Sequence, residues 1–264
     1  EEFSTGTSVA QEGQVWYNTT STVLKGFGKQ GTGAWASAPA LNTARGAPGS
    51  AGNSVSAMLC NGGDPSPGIL TEIYDGSTWS EDADSSTPRT EWGTSWCGTS
   101  TATLMATGSS GGPIVTNVEE FNGTSWAAET AAPTAGRGSS GAGTTTAFVM
   151  AGGYAPGTST AAFDYDGTSW TATGAINTGR AWPGGGGSQT AALMIGGAPV
   201  APAGNKTETY DGSTWTEVAA TNTKRDGPGL SGGQVAQTTA ITFGGATGSP
   251  GGGTVTVNAE QWNG

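Results

Sequence analysis

The chain contains no histidine, and this absence excludes several chemistries. A serine or cysteine nucleophile of the triad type needs an imidazole as its general base. Zinc and non-haem iron sites lose their commonest nitrogen ligand. We therefore expect no catalytic residue, no metal and no cofactor, and we interpret the protein as non-enzymatic. A hydrolase that uses two carboxylates on a glycosidic bond is the alternative that the acidic residues leave open.

Basic residues and long apolar runs are also scarce. Nine Lys and Arg stand against 20 Asp and Glu, which gives a net charge of −11. Nucleic acids and anionic membrane surfaces attract basic proteins, so neither is an expected partner. No apolar run approaches the roughly 18 residues that a membrane-spanning helix needs, so no membrane insertion is expected. The only two cysteines, Cys60 and Cys97, are expected to be buried free thiols, although two cysteines alone leave a disulfide open.

Glycine is abundant, and its distribution reveals a repeat. Five copies of one pattern follow each other at intervals of 43 to 48 residues. Each copy runs from an arginine through a Gly-rich stretch to an apolar strand that ends in Gly-Gly or a variant, then to an aromatic-Asp/Asn-Gly turn and a Trp. We place all five arginines at the equivalent position of the repeat: Arg45, Arg89, Arg137, Arg180 and Arg225. A period near 45 residues, made of short β segments, predicts the blades of a β-propeller.

The turn segments of the repeat are Tyr74–Trp79, Phe121–Trp126, Tyr165–Trp170 and Tyr210–Trp215. Asp-Gly or Asn-Gly between apolar runs predicts a two-residue hairpin, because both central residues tolerate positive φ. We expect the aromatic residue before the turn and the Trp after it to pack as a cross-strand pair, with a structural role for the Trp. The arginines are expected to bond backbone carbonyls or a neighbouring acid and so to tie blade to blade, rather than to bind an anion.

These residues together resemble the kelch repeat over roughly residues 35–264. The resemblance implies a β-propeller of four-stranded blades, but it says little about activity, because kelch propellers serve many functions. Kelch-type propellers include copper oxidases related to galactose oxidase. That chemistry needs histidine ligands, which this chain lacks.

We expect five blades. The last repeat stops at Trp262-Asn263-Gly264, before its Trp strand, and Thr32–Trp35 supplies a strand of the missing type. The N-terminal strand would then complete the last blade and close the ring, which removes exposed sheet edges. The predicted organisation is an N-terminal anchoring segment with a β-hairpin (1–31) and a kelch-like propeller (32–264). Six blades are the alternative, since 15–18 and 23–27 form another predicted hairpin.

Strand alternation places the loops between second and third strands on the same side as the connections between blades. These loops differ in length and composition from one repeat to the next, and we call them the variable insertions. Insertions concentrated on one side of a repeat fold indicate a binding face. The same side should carry the aromatic and acidic residues that break the repeat: Trp92, Trp96, Trp182, Glu91 and Asp226. Trp beside carboxylates can hold a sugar, so these five are the candidate ligand-binding residues. Alternatively, the Trp side chains fill a channel or a gap between unequal blades.

The segment 15–25 and the Asp-Gly-Thr-Ser-Trp type of turn are similar to segments of bacteriophage tail-fibre and virion proteins, including those of marine phages. That resemblance implies a virion structural protein, a fibre or decoration component, located on the extracellular particle. Its expected partners are other virion proteins or a host-surface glycan, in a monomer or an oligomer. The alternative is a secreted or cell-surface bacterial propeller that acts as a lectin-like module.

Overall fold

The computed structural model describes residues 15–18, 23–26, 37–54, 56–64, 68–89, 95–110, 112–231, 236–248 and 254–264. The chain divides into two compact units, Glu1–Ala38 and Pro39–Gly264. In the first unit, β1 (Val15–Asn18) and β2 (Val23–Gly26) form an antiparallel two-stranded sheet. The hairpin predicted at this place is confirmed.

The second unit is an all-β propeller of five antiparallel blades, as the repeat predicted. Strands that follow each other along the chain pair with each other in every blade. Blade 1 holds β3 (Gly49–Ser54), β4 (Ala57–Asn61), β5 (Thr71–Tyr74) and β6 (Trp79–Asp82). Blade 2 holds β7 (Ser95–Thr99), β8 (Ala102–Ala106), β9 (Val118–Phe121) and β10 (Trp126–Glu129).

The remaining blades repeat this order. Blade 3 holds β11 (Arg137–Thr144), β12 (Ala147–Tyr154), β13 (Ala162–Tyr165) and β14 (Trp170–Ala172). Blade 4 holds β15 (Gly184–Ser188), β16 (Ala191–Ile195), β17 (Thr207–Tyr210) and β18 (Trp215–Val218). Blade 5 holds β19 (Gly229–Ser231), β20 (Ala240–Phe243) and β21 (Ala259–Trp262). One irregular helical turn, α1 (Val200–Ala203), interrupts the loop between β16 and β17.

The first strand of each blade lies against the first strand of the next, from β3 through β7, β11 and β15 to β19. These first strands are therefore the inner strands of the propeller. They are rich in Gly and Ser, as in Gly184–Ser188, and small side chains let inner strands approach closely. Among the described residues, no helix is long and apolar enough to cross a membrane.

The core lies between the blades, because the second strands of blades 2, 3 and 4 are buried on both faces. Leu104 and Ala106 of blade 2 pack in one cluster with Phe148 and Met150 of blade 3. Val149 lies between Phe148 and Met150 on β12 and faces the other way, so it packs in a second cluster with residues of blade 4. Burial on both faces explains why these segments read as continuous apolar runs rather than as alternating ones.

The turns between third and fourth strands differ from the prediction. Tyr74 pairs with Trp79, so four residues connect the strands instead of two. Among them only Gly76 has positive φ, at 98°. The physical reason is the Asp75 side chain, whose Oδ1 accepts hydrogen bonds from the backbone N–H groups of Ser77 and Thr78, both at 2.8 Å. This is an Asx turn, which replaces the paired positive-φ residues of a two-residue hairpin.

The predicted cross-strand aromatic pairs are confirmed in four blades. The ring centroids are 5.2 Å apart for Tyr74 and Trp79 and 4.9 Å apart for Tyr210 and Trp215. Trp215 is buried, whereas the Trp residues of the other three pairs are half-buried. The Trp126 indole N–H donates to Thr71 Oγ1 of the preceding blade at 3.0 Å, so this side chain also joins two blades.

Blade 5 differs from the other blades in its burial. Ile241 and Phe243 are both 48% exposed, while Leu193 and Ile195, at the same positions of blade 4, are buried. Three strands of blade 5 lie in the described part of the chain. The strand predicted to complete it contains Trp35, which lies outside the described residues, so closure by the N-terminal strand stays a prediction. Cys60 and Cys97 are both buried free thiols, as expected.

Candidate functional site

The loops fall on two opposite sides of the propeller, as strand alternation predicted. One side, which we call the loop face, carries the loops between second and third strands and the connections from one blade to the next. The other side, the turn face, carries the Asx turns, where for example Gly167 lies against Thr146 of the turn between β11 and β12. The variable insertions therefore share the loop face.

Four arginines of the connections form buried ion pairs on the loop-face side of their blades. Each pairs with a glutamate of the third strand: Arg45 with Glu72, Arg89 with Glu119, Arg180 with Glu208 and Arg225 with Glu260. In blade 4 both side chains of the pair are fully buried. The Arg180 guanidinium also donates to the carbonyls of Gly196 and Lys206. We call this arrangement the arginine latch.

The glutamate of each latch also holds the backbone of the connection. Glu208 Oε2 accepts hydrogen bonds from the backbone N–H and the side-chain amide of Asn177, at 2.7 and 2.9 Å. The carbonyl of Arg180 in turn accepts the N–H of Gly153 in blade 3 at 2.8 Å. The same bond from the preceding blade occurs at Arg89 and Arg225, so three latched connections are tied to the blade before them. The predicted bonds of the four arginines to a neighbouring acid and to backbone carbonyls are confirmed.

The latches of blades 2 and 5 lower the pKa values of their glutamates. Burial raises the pKa of Glu119, but hydrogen bonds from Arg89 and Ser86 outweigh burial, and the net shift is downward. The pKa of Glu260 is lowered in the same way against burial, by the N–H groups of Asn222 and Thr223 and by Arg225. Burial lowers the pKa of Arg89, while Glu119 opposes that effect. Both partners are therefore charged at neutral pH.

The prediction that all five arginines occupy the equivalent position of the repeat is wrong for blade 3. The N–H of Gly108 donates to the carbonyl of Gly136, just as that of Gly153 donates to the carbonyl of Arg180. Gly136 therefore occupies the position of the latch arginine, and Arg137 stands one residue later. The glutamate is missing too, because Phe163 takes its place on β13. Blade 3 has no arginine latch.

The shift by one residue moves Arg137 to the loop face. Arg137 pairs with Tyr154 across β11 and β12, at the position where Ala181 pairs with Ala198 in blade 4. The Arg137 guanidinium carbon lies 5.4 Å from the Tyr154 ring centroid and 5.9 Å from that of Trp182. The two rings stack with their centroids 6.2 Å apart and their planes inclined by 22°. We call these three half-buried side chains the aromatic cluster.

Trp182 holds an unusual backbone conformation. Its φ is 52°, in the left-handed region, where a bulky residue is an outlier. The other described blades place small residues with positive φ here: Ala47, Gly138 and Gly227. Left-handed backbone disfavours a side chain by roughly 1–2 kcal/mol. Such strain persists only where the surroundings impose it, and it concentrates at binding and switch sites.

Backbone contacts fix Trp182 from both sides. Its N–H donates to the carbonyl of Gly138 at 2.6 Å, and its carbonyl accepts the N–H of Gly227 at 3.1 Å. A Cβ at Gly138 would come within 2.7 Å of the Trp182 indole nitrogen, so the ring lies directly on that glycine. The cluster therefore spans the junction of blades 3 and 4 and continues through Gly227 to blade 5.

The structure separates the predicted ligand-binding residues. Asp226 precedes Gly227, whose N–H donates to the Trp182 carbonyl, and burial raises the pKa of Asp226. Trp96 contacts other partners: it lies over Gly49 of blade 1, and its ring meets the edge of Trp126 at 6.5 Å. These are the contacts of a residue that fills the junction of blades 1 and 2. Glu91 and Trp92 lie outside the described residues.

Sequence reasoning missed Arg137 and Tyr154 as members of the site, although a signal was present. The arginine follows the fourth-strand Trp by ten residues in four repeats, as from Trp170 to Arg180, but by eleven from Trp126 to Arg137. It also missed the latch glutamates, which stand two residues before the turn aromatic in four repeats. Phe163 is the exception, in the same repeat.

No group of three or more His, Cys, Asp or Glu side chains that could hold a metal occurs in the described ranges. Comparison of the chain with known protein families and with curated proteins gave no match.

Proposed function

We propose that this chain is a non-enzymatic virion structural protein, a fibre or decoration component, whose propeller presents its loop face to a host surface or a neighbouring subunit. The observation that carries the binding role is the conformation of Trp182. A large aromatic side chain stands there in a strained backbone position, stacked on Tyr154, on the face that also carries the variable insertions. Aromatic residues and arginine are enriched where proteins bind partners.

The resemblance of the N-terminal segment and of the Asx turns to phage proteins supports the virion assignment. The strand β21 runs toward the turn face, and Gly264 lies near Thr238 on that side. The C-terminal end of blade 5 therefore lies on the side opposite the loop face.

The first test is biochemical. Virus particles purified from a producing culture on a density gradient should contain the full chain in a fixed ratio to the capsid protein, by quantitative mass spectrometry. Recovery of the chain only from the culture medium or the cell surface would overturn the virion role and favour the lectin-like module.

The second test uses a deletion. Without residues 1–31 the protein should no longer co-purify with particles, while the remaining propeller keeps its circular-dichroism spectrum and melting temperature. A charge-neutral loop-face variant, Trp182→Gly, serves as the control and should attach to particles as the wild type does. Attachment that depends on Trp182 and not on residues 1–31 would make the loop face an assembly surface.

The lectin-like module remains the second candidate function, because the cluster presents two stacked rings, and Asp226 directly precedes Gly227, whose N–H donates to the Trp182 carbonyl. Aromatic rings present a flat apolar surface, and a carboxylate accepts hydrogen bonds from hydroxyl groups. Both features also suit a virion protein that binds a host glycan.

A further inference from the structure

The large apolar side chains that remain exposed are concentrated in two blades. In the described part of the chain they are Met58 of blade 1 and four residues of blade 5, namely Ile241, Phe243, Val255 and Val257. Blades 2, 3 and 4 leave no such side chain exposed in the residues described for them. Apolar exposure that is concentrated rather than scattered marks an interaction surface.

Ile241 and Phe243 lie on the face of β20 that points away from blade 4. Ala240, which alternates with them along the strand, packs in one cluster with Leu193 and Ile195 of blade 4. Successive side chains of a strand point to opposite faces, so Ile241 and Phe243 point to where a following blade would pack. Both are 48% exposed, whereas Leu193 and Ile195, at the same positions of blade 4, are 1% exposed. We call this surface of blade 5 the trailing face.

The backbone at the end of β20 is uncovered as well. A Cβ on Gly152 would meet the carbonyl of Arg180 in the following connection at 2.7 Å, and one on Gly196 would meet that of Arg225 at 2.8 Å. At Gly244, the equivalent residue of blade 5, a Cβ meets nothing within 4 Å among the described residues. The contact that marks the other junctions is therefore not made at the trailing face.

Blade 1 exposes the face that complements it. Met58 pairs with Tyr74 across β4 and β5, as Phe148 pairs with Tyr165 in blade 3. Phe148 is fully buried in the cluster with blade 2, so this position of the repeat faces the preceding blade. Met58 belongs to the first blade of the series and is 38% exposed. We call this surface of blade 1 the leading face.

The repeat makes the two faces complementary. Every junction from blade 1 to blade 5 joins a trailing face to a leading face, so the chain already contains this contact four times. A fourth strand in blade 5 would pair with the edge of β21 and lie in the plane of the blade, where it does not cover a face of β20. Within one chain the described residues of both faces stay exposed. The leading face of another copy therefore fits the trailing face by the same packing as the junctions inside the chain.

We infer that the trailing face of blade 5 binds the leading face of blade 1 in a second copy of this chain. The contact is heterologous, because two different surfaces meet, and each dimer keeps one free face of each kind. Such a contact builds a closed ring of copies or a filament. The inference concerns the side of the propeller rather than its loop face, and it does not depend on the virion role.

The first test is sedimentation velocity of the full chain at up to about 1 mM, where even a weak interface is half-occupied. Salt at about 0.3 M screens the repulsion between copies that each carry a charge of −11. The wild type should form dimers and larger species as its concentration rises. Ile241→Asp and Met58→Asp should each weaken this association at least about 30-fold, because each places a carboxylate in an apolar contact. The control is Ala128→Asp, which adds the same charge at an exposed site of blade 2 and should leave association unchanged.

A mixing experiment tests the head-to-tail geometry. Equal amounts of Ile241→Asp and Met58→Asp should form a dimer and nothing larger. The intact trailing face of the second variant binds the intact leading face of the first, and the other two faces are blocked. The control mixes Ile241→Asp with Phe243→Asp, which are blocked on the same face, and this mixture should stay monomeric.

Two outcomes would overturn the inference. A wild type that stays monomeric at every concentration would mean that the two faces are not used between copies. Association of the wild type without a dimer in the mixture of Ile241→Asp and Met58→Asp would place the contact elsewhere. Melting temperatures show whether the variants fold, and Ile241→Thr with Met58→Gln repeats the comparison where an aspartate lowers them. The purified chain is sufficient for these tests, so their result is independent of whether the protein is found on particles.

Discussion

In blade 4 a buried ion pair between Arg180 and Glu208 holds the connection from the preceding blade, whereas blade 3 has Gly136 and Phe163 at the same positions. A third member of the latch is also replaced. Asn177, which donates its backbone N–H to the glutamate, corresponds to Pro133, which has no N–H to donate. The latch is thus lost as a unit.

In blade 3, apolar packing takes the place of the arginine latch. Phe163 packs against the cluster between blades 2 and 3, and the ring of Trp170 meets Phe148 there at 6.1 Å. An ion pair and an apolar contact therefore fill the same position of the repeat in different blades, and replacing a buried ion pair by apolar residues is often neutral or stabilising.

The largest effect is expected when one member of an intact latch is removed. Glu208→Ala leaves Arg180 fully buried without its carboxylate, so the free energy of unfolding should fall by about 3–5 kcal/mol in urea denaturation. The control is Glu217→Ala in the same blade. Glu217 pairs with Lys206 at the surface and is 37% exposed, so its loss should cost less than about 1 kcal/mol. Equal losses in the two variants would mean that the latch does not hold the blade.

A smaller effect separates two glycines of blade 3. Gly138→Ala should destabilise the protein by about 1–3 kcal/mol, because φ is 67° and the new Cβ would collide with the Trp182 ring. At Gly136, in the vacated arginine position, a Cβ meets nothing within 4 Å. Gly136→Ala should therefore be neutral or stabilise by up to about 1 kcal/mol. Thermal unfolding of both variants checks this difference, and equal melting temperatures would mean that neither the positive φ nor the Trp182 ring constrains Gly138.

The latches also predict how stability depends on pH. The pKa values of Glu119 and Glu260 are lowered in the folded protein. A lowered pKa contributes stability that is present above the ordinary value of 4.5 and is lost as the pH falls through the folded value. Each unit of lowering corresponds to about 1.4 kcal/mol. Urea midpoints should therefore fall between about pH 5 and pH 3, and the Glu119→Gln variant should show a shallower fall. An identical fall in wild type and variant would remove the latch as its cause.

Local chemistry was sufficient to predict most of the fold. The period of the repeat, the apolar second strands and the aromatic pair around each turn depend on residues that are close along the chain, and all were confirmed. The turn length was wrong because the Asp75 carboxylate bonds two backbone N–H groups. That choice between two local geometries depends on a side-chain conformation that the Asp-Gly pair alone does not specify.

The sequence by itself determined that this is a propeller of five repeats, and that Trp182 and Asp226 stand where the repeat is irregular. The spacing from Trp126 to Arg137 shows one extra residue in this repeat, but only the tertiary structure decided that Gly136 takes the arginine position, because its carbonyl accepts the N–H of Gly108 in the neighbouring blade. The structure also decided that Trp96 fills a junction between blades while Trp182 stacks with Tyr154 and Arg137. Contacts between blades join residues that are tens of positions apart, so no local pattern encodes them.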